Sequence, residues 1–206
     1  MEKFTIDQIK TWDRFYRGNF INSLSGFKSI SLIGTANSEG IPNLAIFSNI
    51  VHVGADPALI GFINRPIEAA PHTLENIRDT KSYTINHIHF DIYKQAHQTS
   101  AKYPKGCSEF EKTGLTPIWQ TPIHSPFVAE SRIRYALQLE EIIPIRQNNT
   151  FFVIGSITHV FLDEALLDKD GFINIDQANS LTSLGIDGYY RTEIISRLPY
   201  AKANSN

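Results

Sequence analysis

Apolar residues along the chain recur with two periods. In residues 5–24, Ile6, Ile9, Trp12, Phe15, Tyr16 and Phe20 return at spacings of three and four. That spacing lines one side of an amphipathic helix, or of two short ones in succession. Gly26 ends the segment. From Phe27 the period changes. FKSISLIGTA, residues 27–36, is β-rich and puts Ile30, Leu32 and Gly34 on one face. Asn37-Ser38-Glu39-Gly40 then predicts a turn, because Asn and Gly tolerate positive φ. Residues 41–53 return as the second arm of a hairpin. Gly54-Ala55-Asp56-Pro57 breaks the chain, and ALIGFIN, 58–64, is almost wholly apolar, as in a strand buried on both faces.

Pro66 and Pro71 bracket a loop. Thr73 to Asp79 reads as a short helix with Thr73 at its N-cap. KSYTINHIHF, 81–90, is a further strand. Asp91 to Tyr103 has helical character, stopped by Pro104 and Gly106. Ser108-Glu109-Phe110-Glu111 has the order of a capping box and predicts a helix ending at Gly114. Residues 115–128, with Pro117, Pro122 and Pro126, read as an extended surface excursion. Two long β stretches, 132–145 and 150–162, form a second hairpin around Gln147-Asn148-Asn149. Asp170-Gly171 is a tight turn. Asp176 caps a predicted last helix in which Ala178, Leu181 and Leu184 share a face before Gly185. Tyr189, Tyr190 and Arg191 lie in a closing strand or loop, and AKANSN reads as a loose tail. Hairpin-linked strands without a βαβ rhythm predict a mainly β fold, an antiparallel barrel with peripheral helices, in one domain spanning 1–206.

Composition narrows the function classes. Charged residues are 19% and hydrophobic ones 42% of 206 residues, an ordinary globular balance. A formal net charge of -2 gives no electrostatic case for nucleic acid or an anionic membrane as partner. Cys107 is the single cysteine, which excludes an intrachain disulfide and a thiolate metal cluster. The N-terminal stretch is too polar for a signal peptide and no run of about eighteen apolar residues occurs, so a cytoplasmic protein is expected.

The segment from Asn43 to Asn76 holds the candidate chemistry. Arg65 follows a strand directly, and Pro66 prevents that strand from pairing further. A guanidinium at a strand end is either a solvated arginine or a planar fork for phosphate. Thr73 either caps a surface helix or lends its hydroxyl, with the helix N-terminus, to an anion. The two bracket one loop with His72, which favours a phosphate pocket. Ser48 and Asn49 are polar positions in an apolar strand beside Asn43 and Phe47. They are either the outer face of a half-buried strand or the edge that reads a planar heterocycle. His87-Ile88-His89 has metal-ligand spacing but no accompanying carboxylate, so solvated strand histidines are the expectation. Asp168-Lys169-Asp170-Gly171 starts like a calcium loop, but Leu166 and Gln177 fall where carboxylates are needed. Cys107 has no base partner in the sequence and reads as structural.

The ordered set GTANSEGIPNLAIFSNIVHVGADPALIGFINRP, HTLENI and SYTIN resembles the flavin reductase-like family of FMN-binding split barrels. EFEKTGL, ALQLEE and GYYR resemble its flavoredoxin-like members. The resemblance covers residues 26–191. It implies a six-stranded Greek-key split barrel and a homodimer with FMN at the interface. It implies reduction of flavin by NADH or NADPH, or passage of electrons through FMN to an acceptor, including an electron-acceptor protein. A non-enzymatic FMN-binding protein, serving as carrier, store or sensor, is the alternative. By the family's motif Asn43, Ala45, Ile46, Phe47, Ser48 and Asn49 line the ring and ribityl, and Arg65, His72, Thr73 and Asn76 gather at the phosphate. No catalytic side chain is implied, since the flavin carries the hydride chemistry. Two departures stand out: Ala45, Ile46 and Phe47 replace part of a hydroxyl-rich strand, and His72 stands where many members have Lys.

Overall fold

The structure, a computed structural model, describes residues 1–68, 71–104 and 106–202. The N-terminal segment forms two short helices, α1 (Ile6–Thr11) and α2 (Arg14–Leu24). Thr5 and Gln8 cap each other's backbone N–H at the start of α1, and the Asp13 carboxylate accepts from Phe15 and Tyr16 to start α2. Trp12 between them is extended, which splits the period into two helices. Phe4, Trp12, Tyr16 and Phe20 pack edge to face with ring centroids 5.0–5.9 Å apart.

The strands β1 (Lys28–Ser29), β2 (Ser31–Ala36), β3 (Pro42–Phe47), β4 (Ile50–Ala55) and β5 (Ala58–Asn64) follow. After α3 (Pro71–Thr80) come β6 (Ser82–His87), α4 (Tyr93–Gln98), α5 (Glu109–Thr113) and the short pair β7 (Pro117–Ile118) and β8 (Phe127–Val128). The long hairpin β9 (Ile133–Ile145) and β10 (Thr150–Leu162), then β11 (Leu181–Leu184) and β12 (Gly188–Arg191), complete the chain. Seven strands form one antiparallel sheet in the order β3-β2-β6-β9-β10-β5-β4. Its two edge strands, β3 and β4, are separated in sequence by Ser48 and Asn49 alone. A sheet whose opposite edges are joined by two residues must curl into a barrel. The expected strand 41–53 is therefore one strand bent at Ser48-Asn49. It pairs with β2 before the bend and β5 after it. Counted so, the barrel has the six strands expected.

The sheet is covered on both faces where β2 runs. Leu32 and Ile33 are each 0% exposed but belong to different clusters. Leu32 packs with Leu44, Ile88, Ile92, Ala96 and Phe110 under α4 and α5. Ile33 packs with Phe47, Phe62, Tyr83 and Ile85 and with Leu74 and Ile77 of α3. Gly34 lies in this doubly covered strand because a side chain there would collide with the Pro126 carbonyl.

Three local expectations change. Residues 176–184 form no helix. Leu181–Leu184 instead pairs with β1 and β12, and the Leu181 N–H donates to the Ile88 carbonyl at 2.9 Å. Spacings of three suit a helix only when no strand edge competes. Ser108 occupies the N-cap of α5 without a side-chain capping bond. Helix α3 begins at Pro71, so Thr73 sits within its first turn and not at the cap. The Asp170-Gly171 turn forms as expected, with Gly171 at φ 86°. Of the loose tail, residues 203–206 lie outside the described residues, as do residues 69–70 of the loop between Pro66 and Pro71.

Candidate functional site

The outer edge of β3 starts the site. Leu32, Ile33 and Gly34 face Ile46, Ala45 and Leu44 across the ladder. The Leu44 N–H does not enter that ladder; it donates to Glu109 Oε2 at 3.0 Å. In an antiparallel edge strand alternate residues turn both backbone groups outward, so Ile46 presents its groups on the same side as Leu44. This edge walls a cavity of about 310 Å³. Asn43, Ala45, Ile46, Phe47, Ser48, Asn49, Arg65, His72 and Thr73 all line it. Asn76 lines a neighbouring cavity of about 430 Å³, which shares Asn43 and His72 with the first. Thr99 to Tyr103, at the end of α4, and Glu109 of α5 supply a further wall. Sequence reasoning missed this wall.

The polar side chains divide into those that hold the fold and those that face the cavity. Asn43 Nδ2 donates to the hydroxyls of Thr35 and Thr73, both at 3.3 Å, and Asn76 Nδ2 donates to Thr35 at 3.1 Å. This network ties α3 to the first hairpin. Thr73 is 3% exposed and accepts from Asn43, which leaves its own hydroxyl proton to donate. Asn49 bridges the bend: its Nδ2 donates to the Ile63 carbonyl at 3.0 Å and its Oδ1 accepts the Ile63 N–H at 3.2 Å. The Phe47 ring turns into the barrel core, 4.9 Å from Phe62 and edge to face. Its side chain thus serves packing.

Arg65, just after β5, and Lys102, after α4, are both exposed and both line the cavity. His72 lines it with them, as do the acidic Glu68 and Glu109. Burial raises the Glu109 pKa, while the Leu44 N–H, its own N–H and the nearby His72 pull it down. Asn76, Cys107 and the acidic Glu39, Glu75 and Asp79 border the neighbouring cavity.

His87 and His89 are not solvated. His87 is partly exposed as a residue, but its ring packs near Tyr135 with Nδ1 3.2 Å from Ser180 Oγ. Burial pulls its pKa down to about 4. His89 Nε2 lies 2.8 Å from the Glu130 carbonyl. Ser180, just before β11 in the stretch whose pattern predicted a helix, joins Tyr135 of β9 and Glu130 of the preceding loop in this cover. Among the described residues no group of three or more His, Cys, Asp or Glu could hold a metal. No helix of the described residues is long and apolar enough to cross a membrane.

A barrel that bends one strand between its two edges, with a cavity along the freed edge, defines a split barrel with a cleft. Residues 24–178 match the flavin reductase like domain, and the chain belongs to that family. It is similar to a split-barrel-domain protein of flavin reductase type from Shewanella frigidimarina, with 46% identity and a TM-score of 0.94. That likeness covers 98% of this chain and 100% of the other. Nitrilotriacetate monooxygenase component B from Bacillus cereus shares the fold at 21% identity and a TM-score of 0.84, over 96% and 98% of the two chains. Flavoredoxin of Desulfovibrio vulgaris shares it at 23% and 0.72, over 86% and 91%.

Proposed function

We propose that this chain binds FMN in the cavity along β3 and works as a flavin reductase-type oxidoreductase supplied by NADH or NADPH. The observation that carries the reading is the single cavity that collects nine of the ten residues expected to hold the cofactor. Its donor set suits FMN. The outward backbone groups at Ile46 match the alternating acceptors and donor on one edge of a flavin ring. Ala45, Ile46 and Ile63 offer apolar surface, and Arg65, His72 and the Thr73 hydroxyl suit a phosphate. Bound there, FMN would accept a hydride from the nicotinamide nucleotide and pass the electrons to an acceptor. The chain's own part is to bind and orient the ring along a rigid edge, and to hold the phosphate at Arg65, His72 and Thr73. We place this work in the cytoplasm, where the reduced nucleotides are, and in a homodimer. The dimer is supported by the exposed apolar residues of the N-terminal helices, among them Phe15 at 73% and Leu24 at 67%.

The test is a titration of the purified protein with FMN, followed by anaerobic addition of NADH and of NADPH. Loss of the flavin absorbance with either nucleotide is expected. FMN binding with no bleaching by either would assign the chain to the carrier class instead. No FMN binding would end the flavin reading altogether.

A further inference from the structure

Glu109 is the one acid buried in the wall of the main cavity. It is 7% exposed, opens α5, and accepts the Leu44 N–H at 3.0 Å. A buried charge is costly, and a neutral amide would satisfy Leu44 equally well. Packing therefore does not explain why an ionisable group stands here.

We propose that Glu109 sets the redox poise of the cavity's flavin by holding a negative charge beside the ring. The inference rests on the FMN reading above. Leu44 and Ile46 turn their backbone groups to the same side, and two residues along a strand span roughly 7 Å. Glu109 Oε2 is 3.0 Å from the Leu44 nitrogen, so a ring held at the Ile46 edge would sit about one such span from the carboxylate. Two electrons and one proton convert the neutral oxidised ring to a reduced ring with one negative charge. The Glu109 carboxylate opposes that added charge and barely affects the neutral form. Electrons then leave more readily, and reduced FMN is held less tightly than oxidised FMN.

The other charged or titratable groups on the cavity are Arg65, Glu68, His72, Lys102 and Tyr103, with Glu39, Glu75, Asp79 and Cys107 in the neighbouring one. Arg65 and Lys102 are exposed and screened by salt, whereas Glu109 is bonded to the strand edge itself. Burial raises the Glu109 pKa, so its charge is lost as pH falls. The effect must fade on the acid side.

The experiment loads wild type and Glu109→Gln with FMN and reduces both stepwise with dithionite against a reference dye, at several pH values. Gln keeps an acceptor for Leu44 and removes the charge. At alkaline pH the Gln variant should have the higher potential, by about 30 mV, which is a tenfold change in the ratio of oxidised to reduced affinity. The gap should close as pH falls. Glu109→Asp, which keeps the charge, should follow the wild type. A second neutral variant, Glu109→Met, must move the potential the same way as Gln, and thermal melts without FMN identify any variant that has lost its fold. Equal potentials at every pH, with FMN bound by all, overturn the proposal alone. A wild type that binds no FMN, read from the titration beforehand, overturns it together with the FMN reading.

Discussion

Replacing Arg65 by Ala tests the phosphate assignment. Arg65 follows the last residue of β5 and lines the cavity with His72 and Thr73. A charge-assisted hydrogen bond contributes about 1.5–3 kcal/mol. Arg65 is exposed, so solvent and salt reduce its share. The lower figure, about 1.5 kcal/mol, predicts FMN binding weakened roughly tenfold. Flavin fluorescence quenching reads the affinity, with riboflavin titrated in parallel. Riboflavin lacks the phosphate and should bind both proteins alike. Added salt should weaken FMN binding to the wild type more than to the variant. Thr73→Ala should behave differently. Its hydroxyl is the acceptor for Asn43, so the variant should lose about 1 kcal/mol of stability along with a smaller share of FMN affinity. Equal loss of both flavins in Arg65→Ala, or loss of neither, refutes the phosphate assignment, because a general unfolding of the site weakens both alike.

Asn49→Ala leaves the Ile63 N–H and carbonyl without the partners that now hold the bend. A stability loss of about 1–3 kcal/mol is expected, measured by urea unfolding, and wild-type stability in the variant would contradict the clamp. His87 has a folded pKa of about 4 against an ordinary 6.5, so between those values the unfolded chain binds more protons. Stability should fall as pH drops from about 6.5 to about 4, by up to about 3 kcal/mol. His87→Asn should flatten that part of the curve, and an unchanged curve would count against a buried neutral ring. Sedimentation should give twice the 23.3 kDa of one chain, and a monomer at micromolar concentration would exclude the homodimer.

The legible parts of the fold were those written locally. The first hairpin follows from Asn37-Ser38-Glu39-Gly40 between two apolar runs, and β2 pairs with β3 across it in register. The cavity residues from Asn43 to Thr73 were legible for a related reason. A strand edge, the strand that returns beside it and the loop after that strand lie within about thirty residues of one another. The second wall was not legible. Thr99 to Tyr103 carries no periodic signal, and Glu109 sits in a sequence with the order of a capping box. Its carboxylate reaches 65 residues back to Leu44, and no local pattern announces that contact. The helix expected over 176–184 failed for the opposite reason. Its local signal was present, but pairing with β1 and β12 satisfies more backbone groups than an isolated short helix can.

The bend at Ser48-Asn49 links the fold to the site by a single physical requirement. A barrel closed by hydrogen bonds all round has no strand edge to offer. Here the strand leaves β2 and joins β5 within two residues. The outer edge of β3 is thereby left without a neighbouring strand. Such an edge invites pairing with any extended chain. This protein covers it with α4, α5 and the Thr99–Tyr103 wall, and the Glu109 carboxylate takes the Leu44 N–H. What stays uncovered is the stretch at Ile46 to Asn49, where the strand is already turning away. Asn49 restores to β5 the two hydrogen bonds that the turn removes, so the bend is stable without being filled. The amide at 49 is thus needed by the barrel before any ligand arrives. The cavity beside it is the opening that such a closure leaves.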